Sequence, residues 1–575
     1  MINIEEFEAF TSLNNLAEPK AAAGEHTKKL PVAGGWDDLQ STAHSDLPDN
    51  GLPVAYLPSN YTTTRESATE LMEILAPVQE IFVRGENFVV LKTETVGSDE
   101  VTFLKTINQH GFRSVAEKHT QFRIKSKEKK KGALIDESPR LFSSEHAVGI
   151  MACEEAIKIL PEIRGLVSFP PMRSDGSVQA EGYDPKSGIL VTTSVQMESP
   201  SLPDSAELLR GLLRDWKFAT PADESRVMAA LLAPMLRLGI WQGERVVFPI
   251  FIFEADLSQT GKGFLTKLIG LIYHEIFSLV AQPNRGVGSF DESLGKALLR
   301  GRPLICLDNL RGKLDSPILE SFTTASGKVH ARALRADGEV DSRYYVLYAT
   351  SNGIESTQDI ANRMCVTRLL HQPRAYQWHQ WPEGSLLKHV EKNRGLYLGA
   401  ICTILREWID RGSPSIECHH DQREWAGAMN WIVQEALHLP PLMEGHEEIQ
   451  KRAVTPGYGF LREIALVIKD TEKTLTAAQI VDLAQTEGIP LPGWKVGRMD
   501  ENGELKHMGT ILGKCFAEGD VIDIEGTIIT RSEISVSRED GQGSFQKKTY
   551  TFRKEGHIHT PIVRGFKNLP EKRSC

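Results

Sequence analysis

Three apolar runs in the middle of the chain predict buried strands. Residues 246–253 carry no charged side chain, residues 303–307 end at Asp308, and residues 344–350 end at Ser351 and Asn352. Helical patterns, such as the one over 264–277, separate the runs. Apolar runs that alternate with helices are typical of the parallel sheet of an α/β protein. Because ligands bind at the carboxyl ends of such strands, the polar residues that end these runs are expected to converge.

The rest of the chain predicts further units on both sides of this core. The first 65 residues contain turn-forming residues and few sustained apolar patterns, which is typical of a low-order tail. Short helical and β-like patterns with turn signals follow. The predicted division is a tail at 1–65, a small α+β domain at 66–204, the α/β core at 205–374, a helical segment at 375–455 and a C-terminal domain at 456–575.

Composition and charge narrow the class of protein. The 575 residues are 41% hydrophobic and 25% charged, as in ordinary globular proteins, which excludes a largely disordered or collagen-like chain. No run approaches the ~18 apolar residues of a membrane span, and the acidic N-terminus does not resemble a signal peptide. The seven cysteines are scattered without a Cys-x-x-Cys pair, so we expect a cytoplasmic protein without disulfides. With a net charge of −10, any nucleic-acid binding must use local patches.

A glycine-containing loop between the first apolar run and the following helix has the context of a phosphate-binding loop. Its backbone N–H groups would face phosphates, Gly261 would allow close approach, and Lys262 would neutralise phosphate charge. Asp256 and Gly263 depart from the usual pattern, which has Gly and Ser or Thr there, and a surface lysine in a glycine turn is the alternative. The expected nucleotide contacts are Ser258, Gln259, Thr260, Gly261, Lys262, Gly263 and Phe264.

Polar residues after the second and third apolar runs complete this candidate site. Asp308 is placed to hold Mg²⁺, and Asn309 follows where a hydrolytic ATPase usually has Glu. Asn cannot accept a proton, but it can orient water. Asn352 would reach between that water and the γ-phosphate. Arg363 is a candidate arginine finger; the alternative is a surface ion pair with Asp359, four residues earlier.

Lys262, Asp308, Asn352 and Arg363, in this order, resemble the Walker A, Walker B, sensor 1 and arginine-finger positions of AAA+ ATPases. More narrowly, residues 205–440 resemble superfamily 3 helicases of the phage, plasmid and poxvirus primase–helicase type. The narrower resemblance also uses the phrase Asp359-Ile-Ala-Asn-Arg363, the lead-in Asp215-Trp-Lys-Phe, Asn393-Arg394 and Trp425. It implies a P-loop AAA+ core with a helical lid over 375–455, ATP and Mg²⁺ as cofactors, and a homo-oligomeric ring, usually a hexamer, in which Arg363 acts at the neighbouring subunit.

A hairpin is predicted between the second and third apolar runs. Residues 329–334 alternate in polarity, and Asp337-Gly338 is a turn signal. Superfamily 3 helicases carry a hairpin at this position that projects into the ring channel. The resemblance implies sequence-independent DNA contacts by Lys328, His330, Arg332 and Arg335. The alternative is an ordinary solvated hairpin.

The C-terminal domain has the pattern of a winged helix. Helices are predicted over 475–487 and 508–517, followed by strands over 527–530 and 548–552 that flank a glycine-rich turn at 541–543. Residues 506–575 contain 12 Lys and Arg against 9 Asp and Glu. The candidate DNA contacts are Lys506, His507, Lys514, Arg531, Lys547 and Lys548. Winged helices also dock proteins, so that alternative stays open.

Three functions fit these patterns. The first is a ring-forming, ATP-dependent DNA helicase or translocase that serves replication of a mobile genetic element. The second is an AAA+ nucleotide switch that remodels a protein partner, and the third is a DNA-binding protein with weak ATP turnover. The triplet Cys418-His419-His420 is expected to be a polar loop rather than a metal site. Trp425 and Trp431 are expected in the core of the helical lid.

Overall fold

The computed structural model describes most of the chain from residue 51 onward. The described residues are 51–96, 99–127, 134–136, 140–255, 260–281, 289–310, 313–324, 327–333, 336–373, 375–454, 457–468, 472–489, 491, 501–516, 519–524, 527–537 and 544–554. The predictions for residues 1–50, Ser258, Gln259, Arg335 and the turn at 541–543 lie outside these residues.

A parallel sheet forms the centre of the structure. Within the described ranges its six strands lie in the order Lys217–Phe218, Met364–Leu370, Ile250–Ala255, Val346–Ser351, Leu304–Leu310 and Ser278–Ala281. All neighbours are parallel except the short edge strand Lys217–Phe218, which is antiparallel to its neighbour. The sheet confirms the predicted α/β class. Since Val346–Ser351 lies between the other two long runs, all three carboxyl ends are adjacent.

Helices connect these strands and pack with them around one large core. They are Leu202–Leu212, Pro221–Met235, Lys262–Tyr273, Phe290–Leu299, Pro317–Thr324, Gln358–Ala361, Leu386–Lys392, Arg394–Asp410 and Arg423–Trp431, with π-helical turns at Leu236–Ile240 and Ile432–Ala436. Trp425 is fully buried, with its ring 5.6 Å from that of Phe251. Trp431 packs partly buried against the same core. Both tryptophans therefore pack in a core, but in the one that they share with the sheet and not in a separate core of the helical lid.

A smaller α+β unit precedes the core and has its own buried cluster. Its helices are Thr64–Leu75, Gln109–His119, Ser144–Met151 and Glu154–Ile159. Its strands are Val54–Tyr56, Ile81–Arg84, Asn87–Val96, Asp99–Thr106, Gln121–Arg123, Lys125–Lys127 and Leu134–Asp136. The first of these strands pairs in parallel with Gln121–Arg123. We call this part the N-terminal unit.

Both predicted boundaries of this unit need correction. Ala55 and Leu57 are buried in its cluster, so the unit begins before residue 65. At the other end lies the three-stranded sheet Gly165–Val167, Gly182–Asp184 and Ile189–Val191. Its residues Val167, Ile189 and Val191 belong to the large core, whereas Tyr183 and Leu190 pack on a small cluster with Phe82 and Val89. Phe169, for example, packs on Tyr273 with ring centroids 4.7 Å apart. The turn signals in this region marked loops within the core, not a domain that extends to residue 204.

The remaining elements are a hairpin and the C-terminal unit. Lys328–Ala333 and Ala336–Asp341 form the predicted hairpin, and Lys313–Leu314 pairs with Glu355–Ser356. After His446–Val454, the C-terminal unit contains Tyr458–Val467, Glu472–Thr476, Ala477–Thr486, Glu501–Cys515, Val521–Ile524, Thr527–Ser537 and Ser544–Lys554. Its sheet is antiparallel, and its core is separate.

Two predicted helices of the C-terminal unit have different starting points in the structure. The first begins at Ala477 instead of 475, because Leu475 and Thr476 pair with the last strand. Thr476 then caps the helix in a reciprocal arrangement with Gln479. The second begins at Glu501 instead of 508.

Within the described part of the chain, no helix combines the length and apolar character that crossing a bilayer requires.

Candidate functional site

The predicted phosphate-binding loop ends at a glycine, and any other residue at this position would be strained. Gly261 precedes the helix Lys262–Tyr273 and has a φ of +91°, a left-handed conformation that favours glycine. A Cβ atom there would lie 2.9 Å from Nε1 of Trp216. That indole donates a hydrogen bond to the Gly261 carbonyl at 3.4 Å and packs beside Phe264. Trp216 thus fixes the loop backbone just before Lys262.

Lys262 lies in the first turn of this helix, where backbone N–H groups lack intrahelical partners and favour an anion. Its Nζ lies 2.6 Å from Oδ1 of Asn352 and donates a hydrogen bond to it. Gly263 is exposed, and a Cβ atom there would meet nothing within 4 Å. The missing Ser or Thr hydroxyl at this position is therefore not a consequence of crowding.

A β-bulge turns the second strand toward the same edge. The register between Leu304–Leu310 and Val346–Ser351 shifts between Leu307 and Leu310. Asp308 and Asn309 occupy the bulge, and Asn309 has a φ of +52°, which Asn tolerates better than most residues. Bulges redirect side chains next to functional sites. Here Asn309 becomes exposed and Asp308 half-buried.

Thr350 holds the bulge and was missed by sequence reasoning. Its hydroxyl donates to Oδ1 of Asp308 at 2.8 Å and accepts the Asn309 N–H at 2.7 Å. Its position in the sequence was the available signal. Thr350 is the last residue of the third apolar run, and on a strand its side chain lies on the same face as that of Asn352, two residues later.

These contacts bring four predicted residues together. Lys262 contacts Asn352, and Asp308 contacts Thr350, so an ammonium and a carboxylate both meet the end of strand Val346–Ser351. Asn309 lies beside them through its bond to Thr350. The convergence expected at the carboxyl edge is present, whereas the individual roles in catalysis stay predictions.

Arg363 lies at the amino-terminal ends of the parallel strands, opposite the carboxyl ends where Asp308 and Asn352 lie. Its carbonyl accepts the N–H of Ile250, the first residue of the strand Ile250–Ala255. That strand separates Arg363 from the phosphate loop by roughly 20 Å. Its guanidinium donates to the carbonyl of Glu320 at 3.5 Å, instead of forming the ion pair with Asp359 that was the alternative. Arg363 therefore does not join Lys262 and Asp308 in its own chain.

Among the described residues, no group of three or more His, Cys, Asp and Glu side chains could hold an ion. Mg²⁺ often binds through one or two carboxylates together with substrate phosphates, and Asp308 offers one such carboxylate.

His420, in the Cys418-His419-His420 triplet, is buried and bonded to the Met364 carbonyl and the Gln422 N–H. Burial lowers its pKa to about 4. The triplet lies outside any helix or strand, so it is the predicted loop, with His420 as a buried structural histidine.

The hairpin is less positive than the sequence implied. Lys328 forms an ion pair with Glu339 at 2.8 Å, and His330 lies 4.0 Å from Asp337. Its other face is buried, and the helix Phe290–Leu299 packs against it so closely that a Cβ atom on Gly295 would overlap the Arg332 carbonyl. Acidic partners therefore offset part of the exposed charge.

The candidate DNA contacts of the C-terminal unit differ in accessibility. Lys506 and Lys514 are exposed on the helix Glu501–Cys515, and Lys547 and Lys548 are exposed on the last strand. His507 is half-buried. Arg531 pairs with Asp520 at 2.6 Å and lies over the ring of Phe516. The four lysines therefore remain the accessible cations of this set.

A cleft of about 790 Å³ adjoins the phosphate loop and was not predicted. Trp216 borders it, together with Phe218, Arg210, Arg214 and residues 436–438. Trp216 also contacts Gly261, so one side chain borders both the cleft and the loop that precedes Lys262.

Comparisons with known proteins do not assign this chain to a family. No protein-family model matches the sequence, and no curated protein is significantly similar to it. A solved structure described as "SCCmec type IV Cch - active helicase" is similar over 80% of this chain and 92% of its own, with 9% sequence identity and a TM-score of 0.29. A similarity of that degree carries no argument about function.

Proposed function

We propose that this chain is an AAA+ ATPase of the superfamily 3 type that couples ATP hydrolysis to movement along DNA, as a helicase or translocase of a mobile genetic element. The observation that carries the proposal is the shared strand end: Lys262 contacts Asn352 while Asp308 contacts Thr350. An ammonium in the first turn of a helix, close to a carboxylate on a sheet strand, suits a magnesium-bound triphosphate.

Each residue at this edge has a distinct task in the proposal. The first turn of Lys262–Tyr273 receives the phosphates, and the ammonium of Lys262 leaves Asn352 to neutralise them. Asp308 would hold the Mg²⁺ that accompanies ATP, and the ion would offset charge on the phosphates. Asn352 and Asn309 orient water toward the γ-phosphate, and phosphoryl transfer needs little help from a strong base. The cleft beside Trp216 offers space for the nucleobase.

The position of Arg363 supports a ring. Because it lies at the sheet edge opposite the phosphate loop, it can serve only the site of a neighbouring subunit. An arginine supplied in trans stabilises charge in the transition state only after assembly. Hydrolysis would then depend on oligomerisation, with a hexamer as the proposed state.

DNA binding is proposed at two places. The hairpin residues Lys328, His330 and Arg332 would touch a single strand in the ring channel. The C-terminal unit, whose order of one helix, a strand, two helices and a β-sheet supports a winged helix, would grip duplex DNA through its exposed lysines. Phosphate contacts of this kind weaken steeply as salt rises.

Three observations favour the alternative functions. Val521 and Ile534 of the C-terminal sheet are 62% and 45% exposed, which suits a protein partner and hence a nucleotide switch. The offset charge of the hairpin and the absent hydroxyl at Gly263 suit a DNA-binding protein with weak turnover.

ATP turnover with and without forked DNA separates the three functions. The proposal expects DNA-stimulated turnover that Lys262→Ala and Arg363→Ala each abolish. Lys158→Ala and Arg411→Ala remove exposed, ion-paired cations elsewhere and should leave turnover unchanged. Mixing the Lys262→Ala and Arg363→Ala chains should restore part of the activity, since mixed interfaces then contain one complete site. Turnover that ignores DNA would favour the switch, and nucleotide binding without turnover would favour the third function.

A further inference from the structure

One arginine of the C-terminal unit reaches the edge of the core sheet that carries the candidate nucleotide site. Arg462, on the helix Tyr458–Val467, is 2% exposed. Its guanidinium donates to the carbonyl of Ala255 at 2.9 Å and to the carbonyl of Asn352. Ala255 ends the strand before the phosphate loop, and the Asn352 side chain accepts from Lys262. The side chain of Arg462 therefore links the backbone of Asn352 to the end of the strand that precedes the loop of Lys262.

A second arginine strengthens this connection. Arg452, on the preceding helix His446–Val454, forms a buried ion pair with Glu254. Glu254 also accepts the N–H of Ile354 at 3.2 Å. Burial alone would raise the pKa of Glu254, but the surrounding guanidinium groups, Arg452 first, hold the pKa below its ordinary value. The carboxylate thus stays charged and keeps the two strand ends tied to the helix.

The same helices connect to the surface where DNA binding is proposed. The Gly459 N–H, in the first turn of Tyr458–Val467, donates to Glu355 at 3.2 Å. At Gly457, directly before it, a Cβ atom would lie 2.3 Å from Ile511, so this helix packs without spare room on Glu501–Cys515. That second helix carries the exposed Lys506 and Lys514.

We propose that Arg462 is a positioning residue that couples the C-terminal unit to the nucleotide site through the main chain of Asn352. The inference rests on the proposed function, because it takes Lys262 as a nucleotide ligand. When phosphates draw Lys262 away, Asn352 loses its side-chain partner, and its carbonyl transmits the change to Arg462. Since coupling between two sites is reciprocal, a ligand that fixes the helix also changes nucleotide affinity.

Amide hydrogen exchange of the full chain, with Mg²⁺ and a non-hydrolysable ATP analogue, tests the coupling. We expect nucleotide to change exchange in the helix Tyr458–Val467 about fivefold. Arg462→Met should abolish the change, and Arg462→Lys, which keeps one donor, should give an intermediate change. Arg553→Met removes an exposed arginine of the same unit that pairs with Glu472 and should leave the change intact.

Binding of a fluorescent ATP analogue, measured alongside, separates the possible failures. If the analogue binds but exchange in the helix stays constant, or if Arg462→Met still transmits the change, the coupling is overturned while the proposed function stands. If the wild-type chain binds no analogue, the proposed function fails and the coupling fails with it. Should Arg462→Met not fold, the Arg462→Lys variant decides, because a full wild-type change there would refute the inference.

Discussion

Thr350 offers a direct test of how the carboxyl edge works. In Thr350→Val the shape is kept, but Asp308 loses a hydroxyl donor at 2.8 Å and the Asn309 N–H loses its acceptor at 2.7 Å. A hydrogen bond to a charged group contributes about 1.5–3 kcal/mol. Asp308 is half-buried and Asn309 exposed, so water recovers part of that, and about 1–2 kcal/mol should be lost.

If this interaction energy is needed to position Asp308 and Asn309 in the transition state, its loss lowers kcat roughly 5- to 30-fold. Steady-state ATP turnover at several Mg²⁺ concentrations measures it, together with analogue binding in EDTA, which should not change. Thr350→Ser keeps the hydroxyl and should retain most of the activity. A Thr350→Val enzyme with wild-type kcat and Mg²⁺ dependence would refute the assigned role of the bulge.

Three further predictions concern the loop and a buried histidine. Gly263→Ser has room for its side chain and should lower the Mg²⁺ concentration for half-maximal turnover about fivefold, as one added hydrogen-bonding ligand of about 1 kcal/mol allows. Gly261→Ala must adopt a left-handed conformation at a cost of about 1–2 kcal/mol and meet Trp216, so titration with a fluorescent ATP analogue should show roughly tenfold weaker binding. The pKa of His420 is lowered by burial to about 4, so the folded state resists protonation. Stability is then full above the unfolded value near 6.5 and falls with pH, by about 2 kcal/mol between pH 7 and 5; denaturant unfolding at both pH values should show that loss, and His420→Gln should reduce it.

The convergence of the site could be predicted from sequence because it depends on strand ends. Buried runs that alternate with helices predict parallel strands, and polar residues at their carboxyl ends must then meet. Asp308 and Asn352 followed from that rule, and Lys262 followed from the glycine-containing loop after the first run. The bulge at Asp308 could not be predicted, because it depends on the pairing register between two strands that are distant in sequence.

Long-range polar contacts are the other part that the sequence did not predict. Arg452 and Arg462 lie about 200 residues after Glu254 and Ala255, on helices whose patterns do not reveal the surface they bury. The boundary near residue 204 failed for a related reason, since turn signals mark loops but do not show which core the neighbouring strands join. Packing alone assigns Phe169 to the large core, through its contact with Tyr273.

The distance between Arg363 and Lys262 constrains any mechanism at this edge. Both residues flank the same strand, Ile250–Ala255, one at each end, and a strand cannot shorten to bring them together. No rearrangement within the α/β core can therefore deliver Arg363 to phosphates bound at Lys262. If turnover needs that guanidinium, the turnover rate per chain must rise with protein concentration as subunits associate. Arg363→Ala must then lower kcat without changing the nucleotide affinity of the isolated chain. If turnover per chain is instead unchanged down to concentrations at which the protein is a monomer, Arg363 has only its structural contact with the Glu320 carbonyl, and the argument for a ring loses its physical basis.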